Sequence, residues 1–134
     1  KPGNDNLSLY SQGDVLIYPG KCDGIGLQPF EARVSGIPVI ITKGRPWGEN
    51  PSMAEINSTH SKRIVSPGRA MDWYEADPKH LVEICQSFLG KEVSSFAKIG
   101  RDWAEGNSWS TKGESLTRAI LQEEPEAQQI QGQT

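Results

Sequence analysis

The densest chemistry in the sequence lies in Lys21-Cys22-Asp23-Gly24-Ile25-Gly26-Leu27-Gln28-Pro29-Phe30-Glu31, which joins two carboxylates and two glycines to the start of a helix. Gly24 and Gly26 let the backbone approach a ligand closely. The amides of Leu27 and Gln28, free at a helix start, are able to hold an anion such as a diphosphate. Pro29 has no N–H, so that anion site stops there. At about 100° per residue, Leu27, Phe30 and Val34 form one stripe, and Glu31 falls about 70° from its centre, nearer the sheet side than solvent. A carboxylate so placed accepts hydrogen bonds from a vicinal diol, as acidic residues do for ribose hydroxyls in nucleotide sites. The plainer reading is an acidic residue favoured by the helix dipole, worth ~0.3–1 kcal/mol.

The elements around this loop must place it at the end of a strand. Leu7-Ser8-Leu9-Tyr10 reads as the last turns of a helix closed by Gly13, and Asp14-Val15-Leu16-Ile17-Tyr18-Pro19 as a buried parallel strand. Leu27 to Ser35 reads as a helix ended by a left-handed Gly36. Ile37-Pro38-Val39-Ile40-Ile41-Thr42 is a second apolar strand, with Pro38 at its beginning, where a missing donor matters least. Strand, helix and strand with such short joints predict a right-handed βαβ unit in an α/β sheet. Ligands bind such sheets at the carboxyl ends of the strands, where residues 20–26 fall.

Residues 43–62 are dense in Gly, Pro, Asn, Ser and charge and read as a functional loop with one helical turn around Met53 to Ile56. Arg63 to Ser66 is a candidate third strand and Met71 to Tyr74 a fourth. Asp77-Pro78 opens a clear helix, Asp77 as N-cap and Pro78 at its first position, with Leu81, Ile84, Cys85, Phe88 and Leu89 at helical spacing. A second amphipathic helix carries Phe96, Ile99 and Trp103. A third, capped by Ser108 or Ser110, carries Leu116 and Ile120. Residues 122–134, rich in Gln and Glu with one large apolar residue, Ile130, read as a disordered polar tail after a single domain over 1–121.

At 134 residues and 14.7 kDa the chain holds one small domain or a piece of a larger one. It lacks an initial Met and a signal-peptide pattern, which predicts a longer gene product upstream. A mean hydropathy of -0.55 and the absence of any long apolar run predict no transmembrane segment. The 14 basic residues are scattered and outnumbered by 17 acidic ones, which argues against nucleic acid as a partner. Cys22 and Cys85 have no CxxC spacing and predict a reducing, cytoplasmic setting, while His60 and His80 fit no metal motif, so no metal is expected. Trp47 on the long loop is a candidate for stacking on a sugar, with packing on its own domain the stronger reading. Trp73, Trp103 and Trp109 read as packing residues.

Asp23-Gly24-Ile25-Gly26-Leu27 followed by Glu31 resembles the E-x7-E signature of retaining glycosyltransferases of the GT-B fold, family four, usually seen as E-G-F-G-L-x-x-x-E. The lead-in is similar too: Leu9-Tyr10 and Gly13-Asp14-Val15-Leu16-Ile17-Tyr18-Pro19 resemble L-Y-x-x-A-D-V-x-V-x-P-S. Ala32 and Ser35-Gly36-Ile37-Pro38-Val39-Ile40 resemble E-A-x-A-x-G-x-P-V-I. The likeness is close over Leu9 to Thr42 and looser to Leu121, through Pro51-Ser52-Met53-Ala54-Glu55, Asp77-Pro78 to Leu81, and Ser108-Trp109.

The resemblance implies a partial Rossmann-like parallel sheet with C-terminal helices, part of the family's C-terminal donor domain, and transfer of a sugar from a nucleoside diphosphate with retention. It implies that Glu31 binds the ribose hydroxyls, that Asp23 acts on the transferred sugar, and that Gly24, Ile25, Gly26, Leu27 and Gln28 line the diphosphate. The nucleotide sugar is then the donor substrate, and no separate cofactor is implied. Asp23 stands where the family has Glu and is one methylene shorter. The family's upstream Arg and Lys, which neutralise the leaving diphosphate, and its acceptor-binding N-terminal domain precede Lys1. Lys43 and Arg45, just past the second strand, are candidate substitutes for those cations. Without that neutralising charge the isolated chain is expected to transfer sugar poorly or not at all. The acceptor is unknown, and that domain leaves room for peripheral membrane attachment. The alternatives are a nucleotide-sugar epimerase of the same architecture and a non-catalytic nucleotide-sugar binding or interaction module.

Overall fold

The computed structural model describes residues 6–121. The polar tail expected over 122–134 lies outside the described residues. In chain order the elements are α1 (Asn6–Tyr10), β1 (Leu16–Tyr18), α2 (Leu27–Val34), β2 (Val39–Thr42), a 3-10 turn (Trp47–Glu49) and β3 (Ala54–Ile56). They are followed by β4 (Ser58–Ser66), β5 (Arg69–Ala76), α3 (Pro78–Phe88), α4 (Ser94–Gly106) and α5 (Trp109–Leu121). The fold is mixed α/β, a partial Rossmann-like arrangement around a three-stranded parallel sheet ordered β1-β2-β3.

β2 is the centre of that sheet because all four of its residues are apolar or small enough to be covered on both faces. Ile40 pairs with Ile17 on one side and with Ala54 on the other. Alternation along the strand then divides the core. Val39 and Ile41 pack with Tyr10, Ala32 and Trp47, while Ile40 packs with Met53, Ile56 and Ile84. Helices therefore cover both faces, as a parallel sheet requires. β1 differs from its expected burial: it is one of the two edge strands of this sheet, and Ile17 is 43% exposed.

α2 ends as its sequence predicts, with the Gly36 N–H donating to the Arg33 carbonyl and Gly36 at φ 74°, a left-handed value that favours glycine. Its buried face is another matter. Pro29, Ala32 and Arg33 are the buried residues, whereas Leu27 and Val34 of the expected stripe are exposed. The small Ala32 lets the helix lie close on the sheet, and that rotation turns the larger apolar side chains outward.

Three further expectations change. The helical turn foreseen around Met53 to Ile56 is strand β3, held by its parallel pairing to β2. The long loop thus ends before Ala54, and residues 58–62 belong to a strand. The two short candidate strands are one long antiparallel hairpin, Ser58 facing Ala76 and Ser66 facing Arg69 across a turn with Gly68 at φ 76°. Downstream, Asp77 caps α3 through its side chain, which accepts from the Lys79 and His80 amides. α4 packs against α2, where Trp103 meets Phe30 edge-on at 5.7 Å. α5 buries none of its residues; Trp109, expected to pack, is 87% exposed.

Candidate functional site

The loop between β1 and α2 leaves the carboxyl end of β1; Asp23 lies in this loop and Glu31 in α2, and each carboxylate is held by a tyrosine from an earlier element. Tyr18, the last residue of β1, donates its hydroxyl to Asp23 Oδ2. Asp23 Oδ1 accepts from the Gly24 amide at 2.6 Å. Tyr10, at the end of α1, donates to Glu31 Oε2 at 2.9 Å. Both tyrosine rings belong to the core around Val39, Ile41 and Trp47, so the carboxylates rest on the rim of that core. Neither tyrosine carries a sequence signal for this role, because the pairing exists only after α1 and β1 have packed.

Burial, reinforced by the carboxylate each one faces, pushes both Tyr10 and Tyr18 up to about 12. The free phenol lies near 10, so the folded state holds these two protons more tightly than the unfolded one. Their contribution to stability is intact below about pH 10 and is lost as pH rises through about 12. In an alkaline titration the phenolate absorbance of Tyr10 and Tyr18 is therefore expected to appear together with unfolding. Ionisation of Tyr10 and Tyr18 near pH 10 in a still-folded chain would contradict these pairings.

Gly26 precedes α2 at φ 69° and is buried, and a Cβ there would stand 3.2 Å from Trp47 Cβ. At Gly24 a Cβ would meet nothing within 4 Å. One glycine is thus demanded by the fold, and the other leaves the backbone open to solvent. The Leu27 and Gln28 amides have no intrahelical acceptor, and the first turn of α2 carries no acidic side chain. Carboxylates, open loop and free amides lie together along one short stretch of chain. An anion placed at those amides would be favoured by the positive end of α2.

The expected cations are placed less usefully. Arg45 is exposed and pairs with Glu49 at 3.6 Å. Lys43 is exposed, its backbone amide bonded to the Ile56 carbonyl. Lys21, inside the loop, reaches Glu75 of β5 at 2.9 Å, and its carbonyl accepts from the Tyr74 amide at 2.8 Å. The hairpin is thus the far wall of the loop, a contact that sequence reading missed. Trp47 does not face a ligand: it is 1% exposed and donates Nε1–H to the Thr42 carbonyl at 3.0 Å.

Neither Asp23 nor Glu31 lines the groove of about 580 Å³ on the other flank of the loop, bordered by Ile25, Leu27, Phe30, Val34 and Trp109. His60 bonds Asp72 at 2.7 Å, and His80 Nδ1 accepts from the Asn57 amide at 2.9 Å. Cys22 and Cys85 are free thiols. Among the described residues no cluster of three or more His, Cys, Asp or Glu is arranged to hold a metal ion, and no helix is long and apolar enough to cross a membrane. Comparison of the chain with protein-family models, with curated proteins and with solved structures found no significant match to any of them.

Proposed function

We propose that the chain forms part of the donor site of a retaining glycosyltransferase, holding a nucleoside-diphosphate sugar along the loop from Asp23 to Glu31. The observation that carries this reading is the pair of tyrosine-held carboxylates flanking an open glycine loop and a helix start with free amides. The resemblance to the E-x7-E signature supports it independently. Tyr10 occupies only Oε2 of Glu31, which leaves Oε1 able to accept from a ribose hydroxyl. Asp23 has both oxygens engaged but retains lone pairs for a sugar hydroxyl. The diphosphate would lie against the Leu27 and Gln28 amides, with Gly24, Ile25 and Gly26 as the backbone floor.

One observation favours a second reading. Arg45 and Lys21 are paired with Glu49 and Glu75, so neither is committed to neutralising a leaving diphosphate. That arrangement suits a module that binds a nucleotide sugar without transferring it.

Titration of the folded chain with UDP-, GDP- and ADP-sugars by calorimetry tests binding. Saturable binding of one base class is expected, weakened about tenfold in Glu31→Gln, the loss of roughly 1.4 kcal/mol of hydrogen bonding to a charged acceptor. Absence of binding to the folded chain, or equal binding by Glu31→Gln, would remove the proposal. Steady sugar transfer by the chain would decide against the binding-module reading.

A further inference from the structure

Glu75 of β5 accepts from three side chains. Its Oε1 receives Arg63 Nη2 at 2.9 Å and the Trp73 Nε1–H at 2.6 Å, and its Oε2 pairs with Lys21 Nζ at 2.9 Å. Arg63, Trp73 and Glu75 share one face of the hairpin, because Arg63 lies opposite Met71 and residues two apart along a strand point the same way. The Arg63 guanidinium also stands over the Trp73 ring, 4.2 Å from its centre. Two donors from the hairpin itself thus fix the carboxylate through Oε1, and Oε2 is left to meet the loop.

Lys21 lies outside the hairpin, two residues before Asp23, and is held twice: Nζ by Glu75, and its carbonyl by the Tyr74 amide at 2.8 Å. That amide is available because alternate residues of β5 face away from β4, while the amide of Trp73 is directed toward it. Tyr74 is seated in turn by its ring, edge-on to Trp47 at 5.4 Å. Lys21, and after it the Trp73 indole, hold the Glu75 carboxyl below its usual range, so it is charged at neutral pH. An exposed ion pair alone contributes little. Here the acid is already ordered by two partners, so closing on Lys21 costs mainly the freedom of the lysine.

We infer that Glu75 is a positioning residue: ordered by Arg63 and Trp73, it clasps Lys21 and holds the stretch leading to Asp23 against the edge of β5. Lys21 pinned at one end and Gly26 beside Trp47 at the other leave residues 22–25 as the span that meets a ligand. The clasp stands whether or not that span binds a nucleotide sugar, whereas its effect on such a ligand rests on the donor-site reading.

The test is amide hydrogen exchange of the chain, followed by NMR. In Glu75→Gln the Tyr74 amide, which reports the bond to Lys21, is expected to exchange about fivefold faster, while the Trp73 amide keeps its rate. Lys21→Met is expected to do the same, and the double variant no more than either alone, since both break one contact. An unchanged Tyr74 rate in both variants, or losses that add, would overturn the inference. Equal acceleration at Trp73 would overturn it too, because Glu75 would then hold the hairpin and not the loop. Calorimetric titration with UDP-, GDP- and ADP-sugars is the second measurement, and several-fold weaker binding at an unchanged Tm is expected in both variants. Binding that the variants leave undiminished would overturn the positioning role. A wild-type chain that binds none of these sugars would remove the donor-site reading and leave the exchange rates to decide the clasp.

Discussion

Truncation of Trp47 to alanine is expected to destabilise the chain by ~3–5 kcal/mol, a large part of the ~5–15 kcal/mol by which ordinary domains are stable. Trp47 is 1% exposed, fills the face of the sheet beside Ile41 and Tyr10, and meets Tyr74 edge-on at 5.4 Å. Its neighbours cannot close the gap easily, since Gly44 already lies so near that a Cβ there would stand 2.9 Å from the indole. Loss of the ring also strips the Thr42 carbonyl of its 3.0 Å donor. Trp109→Ala is the internal control: at 87% exposure it is expected to change stability by no more than about 0.5 kcal/mol. Denaturant midpoints of the two variants measure the contrast, and similar losses in both would mean that Trp47 is not where the fold places it.

The second large effect separates two glycines two residues apart. Gly26→Ala forces a side chain into the left-handed region, costing roughly 1–2 kcal/mol, and sets its Cβ 3.2 Å from Trp47 Cβ and 3.5 Å from Pro29. Those neighbours are core and ring atoms with little freedom to yield, so the full cost exceeds the backbone strain alone. Gly24→Ala meets no atom within 4 Å and is expected to be neutral for stability. On the donor-site reading it still lowers nucleotide-sugar affinity, because the added methyl occupies the space where the diphosphate approaches. Melting curves and titrations on both variants separate the roles. A Gly24→Ala chain as unstable as Gly26→Ala would contradict the loop geometry, and one that bound nucleotide sugar undiminished would place the ligand elsewhere.

What could be read beforehand follows from how local the cause is. The Asp77-Pro78 cap and the Gly36 stop are decided within a few residues, and both stand where the sequence puts them. The apolar run of β2 is legible because a strand covered on both faces needs no alternation. β3 is not legible in that way: Ala54, Glu55 and Ile56 become a strand because β2 offers a free edge beside them. The hairpin escapes for the opposite reason. Thr59, His60, Ser61 and Lys62 are polar on both faces of an exposed strand, so no period-2 pattern marks it.

The site divides along the same line. Gly26 and the α2 start are local and legible, as is the presence of Asp23 and Glu31. Their tyrosine partners, 5 and 21 positions away, depend on tertiary packing. The rotation of α2 misleads most. Leu27, Phe30 and Val34 look like a buried stripe by composition, yet Ala32 and the long Arg33 stem take that place because they fit between the sheet and Gly100. Lys43 and Arg45 follow the end of β2 as expected, but a position near a strand end does not fix where a long side chain points.

The hairpin of β4 and β5 carries a consequence for how the chain assembles. Its pairings begin between Ser66 and Arg69, so little loop-closure entropy opposes its first contacts. The parallel pairs need far longer closures, Leu16 finding Val39 and Ile40 finding Ala54. Parallel crossovers of that kind are the slow step of folding, whereas hairpins close in ~1–10 μs. The segment of Lys21, whose carbonyl meets the Tyr74 amide, can dock only after both have formed. The loop of Asp23 is therefore expected to be set down late and to be among the first stretches released in partial unfolding, which amide hydrogen exchange measures.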